Sequence, residues 1–432
     1  MPQADRPATF FHASDRPVQF EILGDQSLAV PVCVIGGGVA GLSLVRAFVE
    51  ANMPVALVEA QAIGAGASGR ASGIVSAGFD MPVRRMEAVV GSDHARELYR
   101  LSRDGVAHVQ DDIRDLGRAD IADGHGALTL YRHNDMEAMR SDAEEMARFV
   151  GDQPQVWARE KVYSYVRSLR YFGALFDPEP IMVQPVKYCR ALARDAVRKG
   201  GVVLEHSPVQ SITPADLKWR VSTSRGEVLA EQVVLAGGAY QQNIWPRVER
   251  ALLPMTMGMV ASKPLGPRHR DAVRFNGALS DQRHYGNRFR IATSVEGGRL
   301  IWSGRAAAGR LAERQLRRSV IAELFETFPQ LSDAGFEMGW AGQFNSTQSG
   351  MPLVGPIDDG MWVCAGFGSQ GIANATVTGR LVASAILYGD DRWRLLEPFM
   401  TRWGGGPLGR LSRQAGLWRA AVRDYALERR SG

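Results

Sequence analysis

Of the 51 basic residues in this 432-residue chain only five are lysine: Lys161, Lys187, Lys199, Lys218 and Lys263. No basic stripe with interleaved aromatics occurs, and the formal net charge is only +5, so nucleic acid is excluded as a partner. Cysteine is rarer still. Cys33, Cys189 and Cys364 are an odd number without a C-x-x-C pair, which leaves no disulfide framework and no metal site. They point instead to reduced thiols in a cytoplasmic setting. No apolar run approaches 18 residues, so no membrane span is expected, and residues 1–30 carry acids rather than the apolar core of a signal peptide. Repeats and low-complexity tracts are absent too. What is present, 45% hydrophobic and 22% charged residues, suits a globular enzyme with room for about two or three domains' worth of core.

One stretch organises the rest. Val32–Ile35 reads as a short buried strand, and Gly36, Gly38 and Gly41 then form G-x-G-x-x-G at the mouth of a helix. Helical apolar spacing follows through Leu42, Val45, Phe48 and Val49, and a second strand, Val55–Val58, ends on Glu59. This is the dinucleotide-binding βαβ unit in its full context. Gly36 permits the tight turn, Gly38 lets a pyrophosphate approach the backbone, and Gly41 lets the helix lie close to the strand. The helix N-terminus offers N–H groups and a positive dipole end to phosphate. Glu59 stands where a carboxylate accepts hydrogen bonds from ribose hydroxyls, which selects FAD or NAD over NADP. The next segment, Ile63–Gly78 (IGAGASGRASGIVSAG), decides for FAD. Its small side chains keep the backbone close to a long, flat cofactor, where a nicotinamide enzyme would continue into a third alternating unit.

Further along, Phe10, Phe11 and Phe20 in the polar lead-in are expected to pack back on the body. Residues 84–118 and 134–150 read as helices, with a strand at Gly126–Tyr131 between them. Pro185 opens a helix to Lys199, followed by a strand at Val202–Glu205, a hairpin of Val221–Thr223 with Glu227–Ala230, and a strand at Val233–Ala236. From Pro254 to Gly304 the pattern is all β, with strands at Met255–Ser262, Arg288–Thr293 and Arg299–Ser303 and a turn at Gly297-Gly298. That predicts a separate antiparallel sheet. Residues 311–328 return to helix, and Met361–Ala365 is a buried strand leading through a glycine-rich loop into a helix to about Leu387. Leu408, Leu411, Ala415, Trp418, Val422 and Tyr425 form an apolar face on a basic tail helix. Such a helix suits a membrane surface, but this face is expected to dock on its own domain. The fold class is therefore α/β: a Rossmann-like FAD domain from segments 1–105, 175–245 and 340–432, with an antiparallel substrate (cap) domain from 106–174 and 246–339.

In this order the chain resembles the FAD-dependent amine and amino-acid oxidases related to D-amino-acid, glycine and sarcosine oxidase, and within them the gamma-glutamylputrescine oxidases. The likeness runs nearly end to end, through ATFFHASDRP, IGAGASGRASG, PVKYCRALARDAVRKGG, VVLAGGAY, WAGQFNSTQSGMPLVG, CAGFGSQGIANATVTGRLVASAI and GGGPLGRLSRQAGLWRAAVRD. The resemblance implies that Gly36, Gly38, Gly41 and Glu59 hold the ADP half of FAD. Ser68, Arg70 and Gly237 would lie near the pyrophosphate, and Val209 would offer backbone to the adenine. Gly368, Ser369, Gln370 and Gly371 would place a helix N-terminus against the flavin's N1–C2 carbonyl edge, where reduced flavin carries negative charge.

The departures from the family are informative. Where many relatives place a carboxylate-clamping arginine, this chain has Phe344-Asn345, which favours an amine or a larger N-substituted amino acid as substrate. Arg290 and Arg305 remain candidates for an anion clamp, and Tyr285, Trp302 and Phe344 for an apolar wall. Gln343 stands in place of the cysteine that links flavin covalently, so FAD is expected to be non-covalent. Ile301 aligns near the lysine used for oxygen activation, and Gln370 replaces a histidine. No residue stands out as general base. The implied activity is oxidation of a C–N bond by hydride transfer to flavin N5, with imine hydrolysis and reoxidation by O2 to H2O2. A dehydrogenase using a quinone or protein acceptor, and a non-catalytic flavin-holding subunit, are the alternatives.

Overall fold

The computed structural model describes residues 9–25, 27–151, 153–215, 218–241, 243–283, 286–308, 313–400 and 403–430. Two nine-stranded sheets carry it. In the first, Ser27–Ile35 lies at the centre, parallel to Val55–Val58 on one side and to Glu227–Leu235 on the other. Val202–Glu205 extends it in parallel, as does Met361–Ala365 along the end of Glu227–Leu235. A parallel sheet covered on both faces reads as unbroken apolar runs. Accordingly, Val32 and Val34 point into one core with Leu42, Val45 and Phe48, while Cys33 and Ile35 point into the other with Val233 and Leu235.

The helices Val39–Glu50, Ser92–Asp115, Pro185–Arg198 and Gly371–Tyr388 form the layer on the first of these faces. A buried charge network ties them together. Arg46 donates to Glu50 at 2.7 Å and lies 3.4 Å from Asp112, which also accepts from Tyr188 Oη at 2.6 Å and from Arg380 at 2.6 Å.

The second sheet is antiparallel except for one parallel pair, Ala278–Asp281 with Ala122–Tyr131. Its spine is Phe336–Ser346, Leu253–Ser262, Gly297–Ala308 and Arg288–Ser294. The helix Glu313–Thr327 covers it over a core containing Phe289, Leu300, Trp302 and Phe328.

Several expected elements are redrawn. Glu227–Leu235 is one strand rather than two, because its first half pairs with the hairpin partner Lys218–Thr223 and its second half with Met361–Ala365. The turn expected at Gly297-Gly298 lies at Val295-Glu296, and both glycines belong to the strand that follows. The domain boundaries drawn at 175 and 340 fall inside Gly173–Val183 and Phe336–Ser346, both strands of the second sheet. Phe10 and Phe11 do pack on the body: Thr9 caps their short helix, and Phe11 meets Trp340 edge-on at 6.2 Å.

The tail helix is Gly406–Arg430, docked beside Gly297–Ala308. Its expected docking face is turned outward: Leu408, Leu411, Trp418, Val422 and Tyr425 are all more than half exposed. The helix is held instead by the opposite side, where Gly409 and Asp424 are buried and Gln414 Oε1 accepts from the Ala308 N–H at 3.0 Å. No helix among the described residues is long and apolar enough to cross a membrane.

Candidate active site

The turn after Ser27–Ile35 has no room for side chains. Gly36 adopts φ +117°, and a Cβ there would lie 2.8 Å from the Ala236 carbonyl. A Cβ on Gly41 would lie 1.9 Å from the Gly36 carbonyl oxygen, so the helix sits hard against the turn. Ser68 Oγ accepts from the Val39 N–H at 3.0 Å, tying the segment that begins at Ile63 to the opening of that helix. Glu59 accepts from the Gly37 N–H at 2.6 Å through one carboxylate oxygen and from the Gln61 N–H at 2.8 Å through the other. Burial pushes its carboxyl pKa up, and those two backbone donors pull against that shift.

A cleft of about 1400 Å³, open to solvent, is lined from both sheets. Gly36, Gly38, Glu59, Ser68, Arg70 and Gly237 line it on the side of the first sheet, and Gly368, Ser369 and Gly371 contribute from the loop before the helix Gly371–Tyr388. At Gly371 a Cβ would meet nothing within 4 Å, so that helix opens onto the cleft with bare backbone. Arg70 is buried and reaches across to the second sheet: its Nε donates to the Ala341 carbonyl at 2.9 Å, and its own carbonyl accepts from Trp340 Nε1 at 3.0 Å. The second sheet supplies Met257, Met259, Arg288, Ser303, Gln343 and Phe344.

Not every expected residue is there. Gly41 is buried inside the helix, and neither Gln370 nor Val209 lines the cleft. The Gln370 Oε1 atom instead lies 2.6 Å from Ser369 Oγ, and Val209 begins an outer strand of the first sheet. Arg290 is not an anion clamp. It is fully buried and paired with Asp123 at 2.8 Å, and it donates to the Ser72 and Val183 carbonyls at 2.8 and 2.9 Å and to the Asp123 carbonyl at 3.4 Å, so four of its five N–H donors are already engaged. Trp302 is core rather than cleft wall, stacked on Phe289 at 4.4 Å and edge-on to Phe328. Tyr285 lies outside the described residues, as does the side chain of Arg305. Among the described residues of the expected apolar wall, Phe344 is the one that faces the cleft.

Two charged residues that sequence reasoning missed stand in this region. Arg288 lies two residues before Arg290 on the same strand, so strand alternation puts both on one face; Arg288 reaches the cleft and Arg290 the interior. Its guanidinium donates to the Ser369 carbonyl at 3.2 Å and to Ser369 Oγ at 3.3 Å. Burial lowers its pKa, with Asp80 opposing that shift. The Asp80 carboxylate in turn accepts from the Ser369 N–H at 2.9 Å, from Ser369 Oγ at 2.6 Å and from Ser346 Oγ at 3.2 Å. A Cβ on Gly368 would lie 2.2 Å from this carboxylate, so glycine is required there as well. Asp80 and Arg288 thus hold the loop before the helix from opposite sides.

The cleft has bare backbone where a pyrophosphate must approach, a carboxylate at the ribose position and an open helix N-terminus at its other end. FAD fits these features. A parallel nucleotide-binding sheet with a second, antiparallel sheet closing the same cleft is the architecture of a flavin-dependent oxidoreductase. Residues 31–385 match the family described as FAD dependent oxidoreductase, and the chain belongs to that family. It is 28% identical to the gamma-glutamylputrescine oxidoreductase of Escherichia coli, covering 89% of this chain and 90% of that one. It is 27% identical to the probable oxidoreductase OrdL of Haemophilus influenzae, covering 90% of each. The crystal structure of glycine oxidase from Bacillus cereus shares the fold, with a TM-score of 0.71 at 22% identity over 86% of this chain and 98% of that one. The chain is an FAD-dependent enzyme acting on amines or amino acids at a C–N bond.

Proposed function

We propose that the enzyme oxidises the C–N bond of an amine that also carries a carboxylate, and that Arg288 receives that carboxylate. Bound FAD would supply the redox chemistry, accepting a hydride from the carbon beside the nitrogen, so that the resulting imine hydrolyses in water and O2 reoxidises the cofactor to give H2O2. The observation that carries this reading is the composition of the cleft. Among the described residues its lining holds one carboxylate, Glu59 at the ribose position, and neither histidine nor lysine. No side chain there serves as general base, so the amine must enter unprotonated. Met257, Met259 and Phe344 give it an apolar wall. Where relatives carry a clamping arginine this chain has Phe344-Asn345, and Arg288 brings a cation to the cleft from a different strand. Ser369, Asp80 and the open N-terminus of Gly371–Tyr388 set the electrostatics of the wall beside it.

A second reading, electron transfer to a quinone or protein acceptor, is favoured by Ile301. At the position near which relatives carry the oxygen-activating lysine, it is a fully buried apolar residue packed with Phe11 and Trp340. The three cysteines are buried and unbonded, which supports a reducing, cytoplasmic setting. Anaerobic mixing with gamma-glutamyl amines, polyamines and N-methyl amino acids tests the main reading through flavin bleaching. Failure of every amine to bleach the flavin would leave only a flavin-holding role. If bleaching occurs, reoxidation within seconds in aerated buffer favours O2, and persistence of the bleached form favours another acceptor.

A further inference from the structure

The tail helix presents an apolar surface that the fold leaves uncovered. Six of the fourteen exposed large apolar side chains among the described residues fall between Trp403 and Tyr425. Leu408, Leu411, Trp418 and Val422 are 71, 66, 66 and 69% exposed, and Trp403 just before the helix is 59% exposed. Within the helix, steps of three, seven and four place Leu408, Leu411, Trp418 and Val422 on one stripe. The helix cannot turn this stripe inward, because its opposite side is already committed. Gly409 packs so tightly against the preceding loop that a Cβ would lie 1.9 Å from the Gly404 carbonyl oxygen, and Asp424 is buried. Arg419 and Arg423 flank the stripe and Arg410 lies further round; all three are exposed, and none has an ion-pair partner among the described residues.

We propose that this face docks on an anionic membrane surface, the helix lying in the plane of the headgroups. Leucine and valine would enter the acyl boundary, the two tryptophans would sit at the interface, and the arginines would meet lipid phosphate. A second copy of the chain is the weaker occupant. An antiparallel two-fold pairing through this stripe sets the Arg419 and Arg423 rows of the two copies beside each other, with no carboxylate on the exposed face among the described residues to neutralise them. An anionic lipid surface supplies the charge that such a dimer lacks.

Sedimentation of the FAD-loaded enzyme with phosphatidylcholine vesicles, with and without phosphatidylglycerol, tests the proposal. Binding is expected only with phosphatidylglycerol present and should weaken with added salt. Arg419→Gln and Arg423→Gln should each lower the vesicle affinity by about fivefold, and Trp418→Ser should lower it further at unchanged amine turnover in solution. Absence of binding to phosphatidylglycerol vesicles overturns the proposal, as does binding that Trp418→Ser leaves untouched. A dimer in light scattering that Leu411→Glu dissociates, without vesicle binding by the parent enzyme, would assign the face to a second copy instead.

Discussion

Replacing Arg288 by methionine keeps much of the side-chain length and removes one of the two arginines, Arg70 and Arg288, that line the cleft among the described residues. Two of its five N–H donors are directed at Ser369, at 3.2 and 3.3 Å, and the others can serve a ligand. A hydrogen bond to a charged group is worth roughly 1.5–3 kcal/mol, and one or two of them to a substrate carboxylate give about 2–5 kcal/mol. A carboxylate left unpaired in a partly desolvated cleft adds to the loss. For an acidic amine kcat/KM should therefore fall by about 30-fold to several thousandfold in Arg288→Met. An uncharged amine of the same length loses only the indirect effect on Ser369 and should fall by no more than about tenfold, the cost of one or two ordinary hydrogen bonds. Arg288→Lys keeps the charge without the forked geometry and should lie between. Steady-state kinetics on a matched pair of amines, one with and one without the terminal carboxylate, measures the difference. Equal losses for both would refute the reasoning: Arg288 would then act only by holding Ser369 and the loop before the helix, and the acid would bind elsewhere.

Glu59→Ala should raise the FAD dissociation constant by about tenfold to several hundredfold, since it removes the ribose acceptor and leaves the Gly37 and Gln61 N–H groups without their partner; an unchanged affinity in a fluorescence titration would show the ribose contact to be misassigned. FAD should leave the protein on acid precipitation, because Gln343 lines the cleft where a thioether-forming cysteine would stand, and yellow colour retained in the pellet would contradict this. His12, bonded to Thr9 Oγ1 at 2.7 Å, is held neutral by burial and by Arg190 and Arg70, its pKa lowered from 6.5 to about 4. The unfolded chain binds that proton first as pH falls, so stability is full above about pH 6.5 and declines towards pH 4, by about 2 kcal/mol between pH 7 and pH 5. Denaturant midpoints of the wild type and His12→Gln at the two pH values check this: the variant should lose the smaller amount.

The cofactor half of the site was legible because its chemistry is a backbone matter. A nucleotide phosphate can reach the main chain only where side chains are missing, so Gly36 and Gly38 are chosen by steric need and appear at fixed spacing in the sequence. Glu59 was readable for a related reason: it closes a strand whose length is set by the unit around it. The strand Glu227–Leu235 was read as two pieces because polar Glu231 and Gln232 interrupt its apolar run. Its actual length follows from pairing with different partners along its two halves, which is a long-range fact. The strand Phe336–Ser346 was missed because its partners lie about 80 residues away, and its glycines and small residues carry little β signal.

The substrate half illustrates a different limit. Arg288 and Arg290 share a strand and a face, and alternation alone cannot say which of them meets solvent and which meets Asp123. The choice is made by residues remote in sequence: Asp123 and the Val183 carbonyl draw Arg290 inward, while Ser369 and Asp80 hold Arg288 at the cleft. The same holds for the tail helix. Its apolar periodicity is real, but Gly409 and Asp424, neither of them apolar anchors, decide which side faces the body. Periodicity therefore locates a surface that seeks a partner without naming the partner. In this chain the place of Arg288 at the cleft is assigned by a partner 81 residues away and that of Arg290 by partners 107 and 167 residues away, while the tail helix meets the body through Gln414 and Ala308, 106 residues apart; none of these contacts leaves a local trace.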